Sequence, residues 1–271
     1  MTENTHQSLA QRLAEQFSRL DQVEAVALGG SQTSGAPTDT ASDIDLYVYV
    51  NAPIPLQTRL EIVEQLGGAA EANMDLNLWD PGDEWFDART GIEVDAMYWD
   101  PNWVKDFLAR VIDGHQASLG YTTAHWHTIA HSQLLFDRQS WFADVQAWSR
   151  QPYPEPLRQN IINKNFPILR DLIPSYLHQI EKAVRRQDLV SINHRVAGFL
   201  ASYFDIIFAH NRVLHPGEKR LLDHAARLCP HLPDGMHDQV TAMLNAAGSV
   251  DMRVVEEGKR LVEGVEGLIG T

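Results

Sequence analysis

Two aspartates one residue apart, Asp43 and Asp45, open the apolar run DIDLYVYV over residues 43–50. Side chains at i and i+2 of a strand point the same way, so both carboxylates are predicted to converge on one point. Like charges this close disfavour ionisation unless a cation lies between them, and Mg²⁺ takes oxygen ligands while keeping positions open for substrate phosphates. The pair therefore predicts a magnesium site. The alternative is that Asp43 caps a turn and Asp45 is solvated.

A third aspartate, Asp95, interrupts the otherwise apolar run IEVDAMYW over residues 92–99. An adjacent strand, antiparallel or part of a mixed sheet, would bring it beside the Asp43–Asp45 pair. Three carboxylates at one end of a sheet suit metal-assisted phosphoryl or nucleotidyl transfer. Glu93, two residues earlier on the same predicted face, competes for the role of third carboxylate, and an Asp95 that only faces solvent is the other alternative.

A glycine-rich turn, Gly29-Gly30-Ser31, follows the β-prone run VEAVALG over residues 23–29. Backbone N–H groups are exposed at such a turn, glycine lets an anion approach closely, and Ser31 adds a hydroxyl donor. The stretch lacks the lysine of a P-loop and the spacing of a dinucleotide fingerprint. Alone it indicates only a turn, but beside the carboxylates it predicts a cradle for a triphosphate.

The pattern of apolar residues predicts the elements that carry these side chains. Amphipathic helices are predicted over 7–20 and 58–67, and a turn over 80–85. Strands are predicted over 23–29, 43–50, 74–79, 91–99 and 132–137. From residue 102 helical periodicity dominates, with long segments predicted over 157–186, 188–212, 216–228, 236–246 and 249–268. QPYPEP at 151–156 is the best linker candidate.

This layout predicts an α+β fold of two domains. A small mixed-sheet domain over residues 1–150 is followed by an all-α helical bundle over residues 151–271, which we expect to complete a ligand cleft.

Composition limits the classes of function. The formal net charge of −14 repels nucleic acid backbones, so an extended nucleic acid is not an expected partner. One cysteine, Cys229, excludes an internal disulfide and a cysteine-based zinc cluster. Residues 1–20 show no signal-peptide pattern and no stretch approaches the length of a membrane span, so we expect a cytoplasmic protein with no membrane partner. Nothing in the sequence indicates the oligomeric state.

The three parts VALGGS, DIDLYVYV and VDAMYW together resemble the signature of the nucleotidyltransferase superfamily related to DNA polymerase β, over roughly the first hundred residues. The resemblance implies a small mixed sheet with helices behind it. It implies Asp43 and Asp45 as ligands of one or two Mg²⁺, and Asp95 as a ligand of the second metal or as the general base.

The same resemblance implies that Gly29, Gly30 and Ser31 hold the triphosphate. The reaction would be attack of an acceptor hydroxyl on the α-phosphate of a nucleoside triphosphate, with ATP the expected one and pyrophosphate leaving.

One α/β domain with a helical bundle resembles the adenylyltransferases that modify aminoglycoside or lincosamide antibiotics, which implies a small-molecule acceptor. In those enzymes a lysine of the helical domain commonly reaches the triphosphate, and Lys219 is the candidate here. Arg195 is a second candidate for holding a phosphate or the acceptor. The alternatives are a solvated helix start at Lys219 and a surface or ion-paired Arg195. Nucleotidylation of a partner protein, and a nucleotide-binding regulator without catalysis, stay open as other functions.

Overall fold

A computed structural model describes residues 3–30, 43–78 and 80–270 of the chain. The chain divides into two compact units, one of residues 1–109 with 128–151 and one of residues 110–127 with 152–271. The first unit contains the sheet and the second is helical. This arrangement confirms the predicted α+β class.

The first part of the chain supplies six strands and five helices in the residues that the structure describes. The strands are β1 (Val23–Leu28), β2 (Ile44–Val50), β3 (Ala69–Asn77), β4 (Pro81–Asp87), β5 (Glu93–Trp99) and β6 (Gln133–Asp137). The helices are α1 (Glu3–Phe17), α2 (Leu56–Leu66), α3 (Pro101–Leu108), α4 (Ala124–His131) and α5 (Trp141–Ser149), and a π-helical turn (Ala109–Asp113) follows α3.

The strands form one mixed sheet in the order β3-β4-β5-β2-β1-β6. β2 and β5 run parallel, and every other neighbouring pair is antiparallel. The prediction of a turn over residues 80–85 is wrong, because most of this segment lies in β4. The turn-forming Pro81 and Gly82 masked the alternation that follows them, in which Asp83 and Trp85 are buried and Glu84 is exposed.

One face of the sheet carries the core of this unit. Helices α1 and α2 pack there with buried residues at helical spacing, including Leu9, Leu13 and Phe17 of α1. They meet the even-numbered positions of β2 and β5, which are Ile44, Leu46, Val48, Val94 and Ala96. Because side chains alternate along a strand, Asp45 and Asp95 lie on the opposite face.

The second unit is built around six helices of the described chain. They are α6 (Glu155–Leu169), α7 (Tyr176–Arg185), α8 (Leu189–His210), α9 (Leu221–Leu228), α10 (Met236–Ala247) and α11 (Arg253–Ile269). The apolar helix α8 supplies much of the core, with Phe199, Tyr203 and Ile206 fully buried. Across the described parts of the chain, no helix combines the length and hydropathy needed to cross a membrane.

Two predicted helices of this unit were wrong in extent. The segment 157–186 is two helices, because α6 ends at Leu169 shortly after Pro167, and Pro174 precedes the start of α7. The helix predicted from residue 216 begins only at Leu221. His215 precedes a proline, which disfavours helical backbone, and Gly217 adopts a φ of +104°.

The division into units differs in one segment from the expected domains 1–150 and 151–271, since residues 110–127 belong with the helical unit. Hydrogen bonds fix this segment to α6 and α8. The Gly120 N–H donates to Asn165 Oδ1 (3.0 Å), and the Thr122 N–H and hydroxyl donate to the two carboxylate oxygens of Asp205 (3.1 and 2.7 Å).

Candidate active site

Asp45 and Asp95 are register partners on the two parallel strands β2 and β5. Both side chains are half-buried, and they occupy the same face of the sheet. Glu93 is exposed and lies two residues before Asp95 on β5, so it is not the register partner of Asp45. The register therefore places Asp95, rather than Glu93, directly beside Asp45.

A third carboxylate continues this line across the sheet. Glu84 of β4 is the antiparallel register partner of Asp95. Asp45, Asp95 and Glu84 thus stand side by side on three adjacent strands, and we call these three residues the carboxylate row. Glu84 was not among the predicted metal ligands or catalytic residues, because its segment was interpreted as a turn. The alternation of buried and exposed residues along β4 was the signal that identifies it.

The carboxylates act on one another electrostatically. The pKa of Asp95 is raised to about 6, first by burial and then by the negative charges of Asp45, Glu84, Asp43 and Glu93, in that order. Asp43 precedes β2 and, by alternation, shares the face of Asp45. A cation bound here would offset the negative charge around the half-buried Asp95 and would stabilise its ionised form.

An aromatic side chain lies next to the carboxylate row on the same face. Tyr47 follows Asp45 by two residues, and its ring packs against Trp99 with 4.6 Å between centroids. Burial raises the pKa of Tyr47, and the charges of Asp45 and Asp95 raise it further. The phenol therefore keeps its proton at neutral pH, and the side chain adds no negative charge to the site.

Two glycines bring backbone against these side chains at the end of β1. Gly30 has a φ of +68°, and a Cβ at this position would overlap the Asp45 carboxylate. A Cβ on Gly29 would overlap the Tyr47 ring, and the Gly29 N–H donates to the Asp45 backbone carbonyl (2.9 Å). Both positions need glycine for close approach. Ser31, the other residue predicted in this turn, lies outside the described residues.

The carboxylate oxygens here match the ligand preference of a hard divalent cation such as Mg²⁺. That ion is usually held by one or two carboxylates together with water and substrate phosphates. Within the described ranges, no group of three or more His, Cys, Asp or Glu side chains has the arrangement of a metal shell formed by the protein alone. The assignment of Asp43, Asp45 and Asp95 as metal ligands stays a prediction.

The two residues predicted from the helical unit lie on its surface. Lys219 is exposed in the turn that precedes α9, and Arg195 is exposed on α8. A surface position was one of the alternatives for Arg195. The predicted contact of either residue with a phosphate stays a prediction.

Comparison with known proteins agrees with the geometry of the site. The family model described as "Nucleotidyltransferase domain" matches residues 10–102, which include Asp43, Asp45, Glu84 and Asp95. A solved crystal structure of a nucleotidyltransferase-like protein from Exiguobacterium sibiricum 255-15 is similar at 12% identity. The similarity covers 97% of this chain and 74% of that one, with a TM-score of 0.45. A search of curated proteins finds no match. The resemblance predicted from the sequence is confirmed over residues 10–102, which match a nucleotidyltransferase domain.

Proposed function

We propose that the protein is a Mg²⁺-dependent adenylyltransferase that moves AMP from ATP to a hydroxyl group of a small-molecule acceptor. The observation that carries this proposal is the pairing of Asp45 with Asp95 on parallel strands, with the Gly30 backbone against Asp45. It brings carboxylates and a glycine turn from separate segments of the chain to one place. Nucleotidyl transfer needs both, one for a metal and one for phosphates.

The metal would be held by Asp43, Asp45 and Asp95. A divalent cation bound there supplies charge neutralisation for the triphosphate oxygens during transfer. Burial, followed by the charges of the neighbouring carboxylates, raises the pKa of Asp95 to about 6, and the density of those carboxylates supports a cation at this position. Gly29 and Gly30 would let the backbone of this turn lie close to the carboxylates, and the phosphate chain would bind beside that backbone.

The acceptor hydroxyl must lose its proton as it attacks. Its oxygen forms a bond to the α-phosphorus, the bond from that phosphorus to the bridging oxygen breaks, and pyrophosphate leaves with that oxygen. Asp95 would either help to hold the metal or take this proton, the two alternative roles that the family resemblance implies for it.

Charge supports a small acceptor over a nucleic acid. The face that holds the carboxylate row also carries Asp43 and Glu93, and the chain has a formal net charge of −14. A polyphosphate backbone would be repelled by this field, whereas a neutral or cationic acceptor would not. Amine-rich antibiotics, aminoglycosides among them, are therefore candidates for the acceptor.

The direct test is transfer of label from [α-³²P]ATP to a panel of hydroxylated acceptors that includes aminoglycosides and lincosamides. Asp45→Asn should lower transfer by about 100-fold or more, because it removes an anionic ligand of the cation that would neutralise the phosphate charge. Asp21→Asn removes the same charge from an exposed position outside the site and should leave transfer unchanged. Unchanged transfer in Asp45→Asn would rule out the proposed metal role.

The same reaction separates the other candidate functions. Label that appears on a co-purifying protein, with none on any small molecule, would indicate a protein acceptor. A rise in melting temperature with ATP and Mg²⁺, without pyrophosphate release for any acceptor, would indicate a nucleotide-binding regulator. Running the thermal-shift screen with each nucleoside triphosphate also tests the preference for ATP.

A further inference from the structure

A second concave site lies in the sheet-containing unit. It is a cavity of ≈ 290 Å³ lined by the segment 50–54 after β2, by Arg59 of α2, and by Asp75, Tyr98 and Asp100. Tyr98 lies three residues after Asp95 on β5, so its side chain points to the opposite face of the sheet. The cavity is therefore separate from the carboxylate row, and the proposed transfer reaction does not use it.

Arg59 lines this cavity and forms an ion pair with Asp83, which is buried behind the lining, and we call these two residues the floor. Arg59 Nη1 donates to Asp83 Oδ1 (2.5 Å), Arg59 Nε donates to the Ile54 carbonyl (3.1 Å), and the Tyr98 hydroxyl donates to Asp83 Oδ2 (2.6 Å). The side chain of Asp83 is fully buried and that of Arg59 is 9% exposed. Since Asp83 neutralises the guanidinium, the floor presents no net positive charge.

Two further carboxylates lie at the cavity above this floor. Asp75 is 70% exposed and accepts a hydrogen bond from Arg59 Nη2 (2.7 Å). Its backbone is left-handed, with φ at +61°, where the pairing of β3 with β4 becomes irregular. Asp100 accepts a hydrogen bond from the Asn102 N–H (2.7 Å) at the start of α3. Arg59, Asp75 and Asp100 line the cavity, and Asp83 offsets the Arg59 charge, so the net charge at the cavity is negative.

The rest of the lining is largely apolar. It includes Val50, Pro53, Ile54 and Leu76, together with the Tyr98 ring. Apolar walls with a few charged groups at fixed positions are typical of small-molecule sites, and the volume is at the lower end of the range for such sites. The walls thus suit a compact apolar body, and the carboxylates suit a positive charge.

We propose that this cavity binds a small organic cation, a primary amine with a compact apolar body, at a site separate from the transfer site. The ammonium group pairs with the carboxylates of Asp75 and Asp100, and the apolar body packs on Ile54 and Leu76. An anion is disfavoured, because Arg59 already donates to Asp83, Asp75 and the Ile54 carbonyl.

Benzylamine is the probe, with benzyl alcohol and benzoate as neutral and anionic analogues of nearly the same size. Each is titrated into the full ¹⁵N-labelled chain, and the backbone amide shifts of residues 50–52, 54 and 98–100 are followed by NMR. Benzylamine should shift these amides in a saturable manner, benzyl alcohol should bind about tenfold more weakly, and benzoate should not bind. Benzoate binding as tight as that of benzylamine would overturn the proposal.

Two variants test the carboxylates without disturbing the fold. Asp75→Asn keeps a residue type that tolerates left-handed backbone, and Asp100→Asn keeps a good helix cap. Each should raise the Kd for benzylamine about fivefold, and the pair together more than tenfold. Asp21→Asn, an exposed aspartate outside the cavity, should leave the Kd unchanged. An unchanged Kd in the double variant, with its melting temperature retained, would overturn the proposal.

Discussion

The backbone of Gly30 lies directly against the carboxylate of Asp45, so that a methyl group at position 30 would overlap Asp45 Oδ2. Gly30→Ala must therefore displace either the turn or the Asp45 side chain. Since nucleotidyl transfer depends on the position of both, we expect the rate of transfer from ATP to the acceptor to fall by about tenfold or more. Initial rates with saturating ATP measure the loss.

Gly91→Ala is the matched control for this change. Gly91 has a φ of +69°, almost the same as Gly30 at +68°, but a Cβ there would meet nothing within 4 Å. Both substitutions place alanine in left-handed backbone and should lower the free energy of unfolding by about 1 kcal/mol. Only Gly30→Ala should lose transfer, and an equal loss in both variants would attribute it to backbone strain instead.

Glu84→Gln tests the like-charge contact inside the carboxylate row. Glu84 stands directly across from Asp95, and like charges at directly opposed positions of a sheet are destabilising. Without added metal, we expect the variant to gain about 0.5 kcal/mol in the free energy of unfolding. Urea denaturation at pH 8 and low ionic strength measures the gain.

Two comparisons show whether this gain is electrostatic. Glu71→Gln changes another exposed glutamate, one whose register partner on β4 is Phe86, and it should leave stability unchanged. The gain in Glu84→Gln should also shrink when salt is raised to about 1 M, because exposed charges are then screened. A gain that persists in high salt would mean that packing, rather than charge, sets the effect.

The positions of the site aspartates on one face could be predicted from the sequence because strand alternation has a period of two. That rule places Asp45 and Asp95 on the faces that the structure shows. It does not say which strands are neighbours. The direct pairing of β2 with β5 depends on β3 and β4 forming a hairpin outside them, and the turn residues Pro81 and Gly82 concealed that hairpin. For the same reason, the sequence did not predict that Glu84 lies beside Asp95 in the carboxylate row.

In the helical unit, periodicity predicted the helices better than their ends. The long helix α8 agrees closely with the predicted segment 188–212, because its apolar run is uninterrupted by proline or glycine turns. The attachment of residues 110–127 to this unit had no signal in the periodicity. Hydrogen bonds from Gly120 and Thr122 to residues more than forty positions away contribute to this attachment. Contacts of this kind depend on tertiary structure and leave no local pattern.

Arg59→Met should be strongly destabilising, because it leaves Asp83 buried with its neutralising charge removed. The Asp83 side chain has no exposed surface, and its oxygens would keep only the Tyr98 hydroxyl and the Asp75 N–H among the donors described here. Breaking one side of a buried ion pair lowers the free energy of unfolding by about 3 kcal/mol or more. Equilibrium urea denaturation measures the loss.

A double-mutant cycle identifies the cause of that loss. Arg59→Met with Asp83→Asn removes both charges and should recover part of the stability, since no charge is then left buried. Arg185→Met is the surface control: Arg185 pairs with Glu181 on α7 but is 71% exposed, and its loss should lower stability by less than about 0.5 kcal/mol. If the double variant is as unstable as the sum of the single variants, the ion pair is not the cause.

Asp205 should make the stability of the protein fall as pH rises. This residue of α8 is 1% exposed, and burial raises its pKa to about 7 despite the hydrogen bonds from Thr122. The folded state therefore holds a proton that the unfolded chain, with an ordinary aspartate pKa near 3.8, releases. The stabilisation is fully present below about pH 4 and is lost as pH rises through about 7, by on the order of 4 kcal/mol.

Asp205→Asn isolates this contribution, because asparagine has nearly the same shape and does not titrate. Buried His215 has a pKa lowered to about 4, which acts in the opposite direction, but it is present in both proteins and cancels in the difference. The free energy of unfolding of the natural chain minus that of Asp205→Asn, measured by urea denaturation from pH 4.5 to 8, should fall steadily with pH. Parallel curves across this range would mean that Asp205 is ionised in the folded protein throughout, with Thr122 and Asn165 stabilising its charge enough to offset burial.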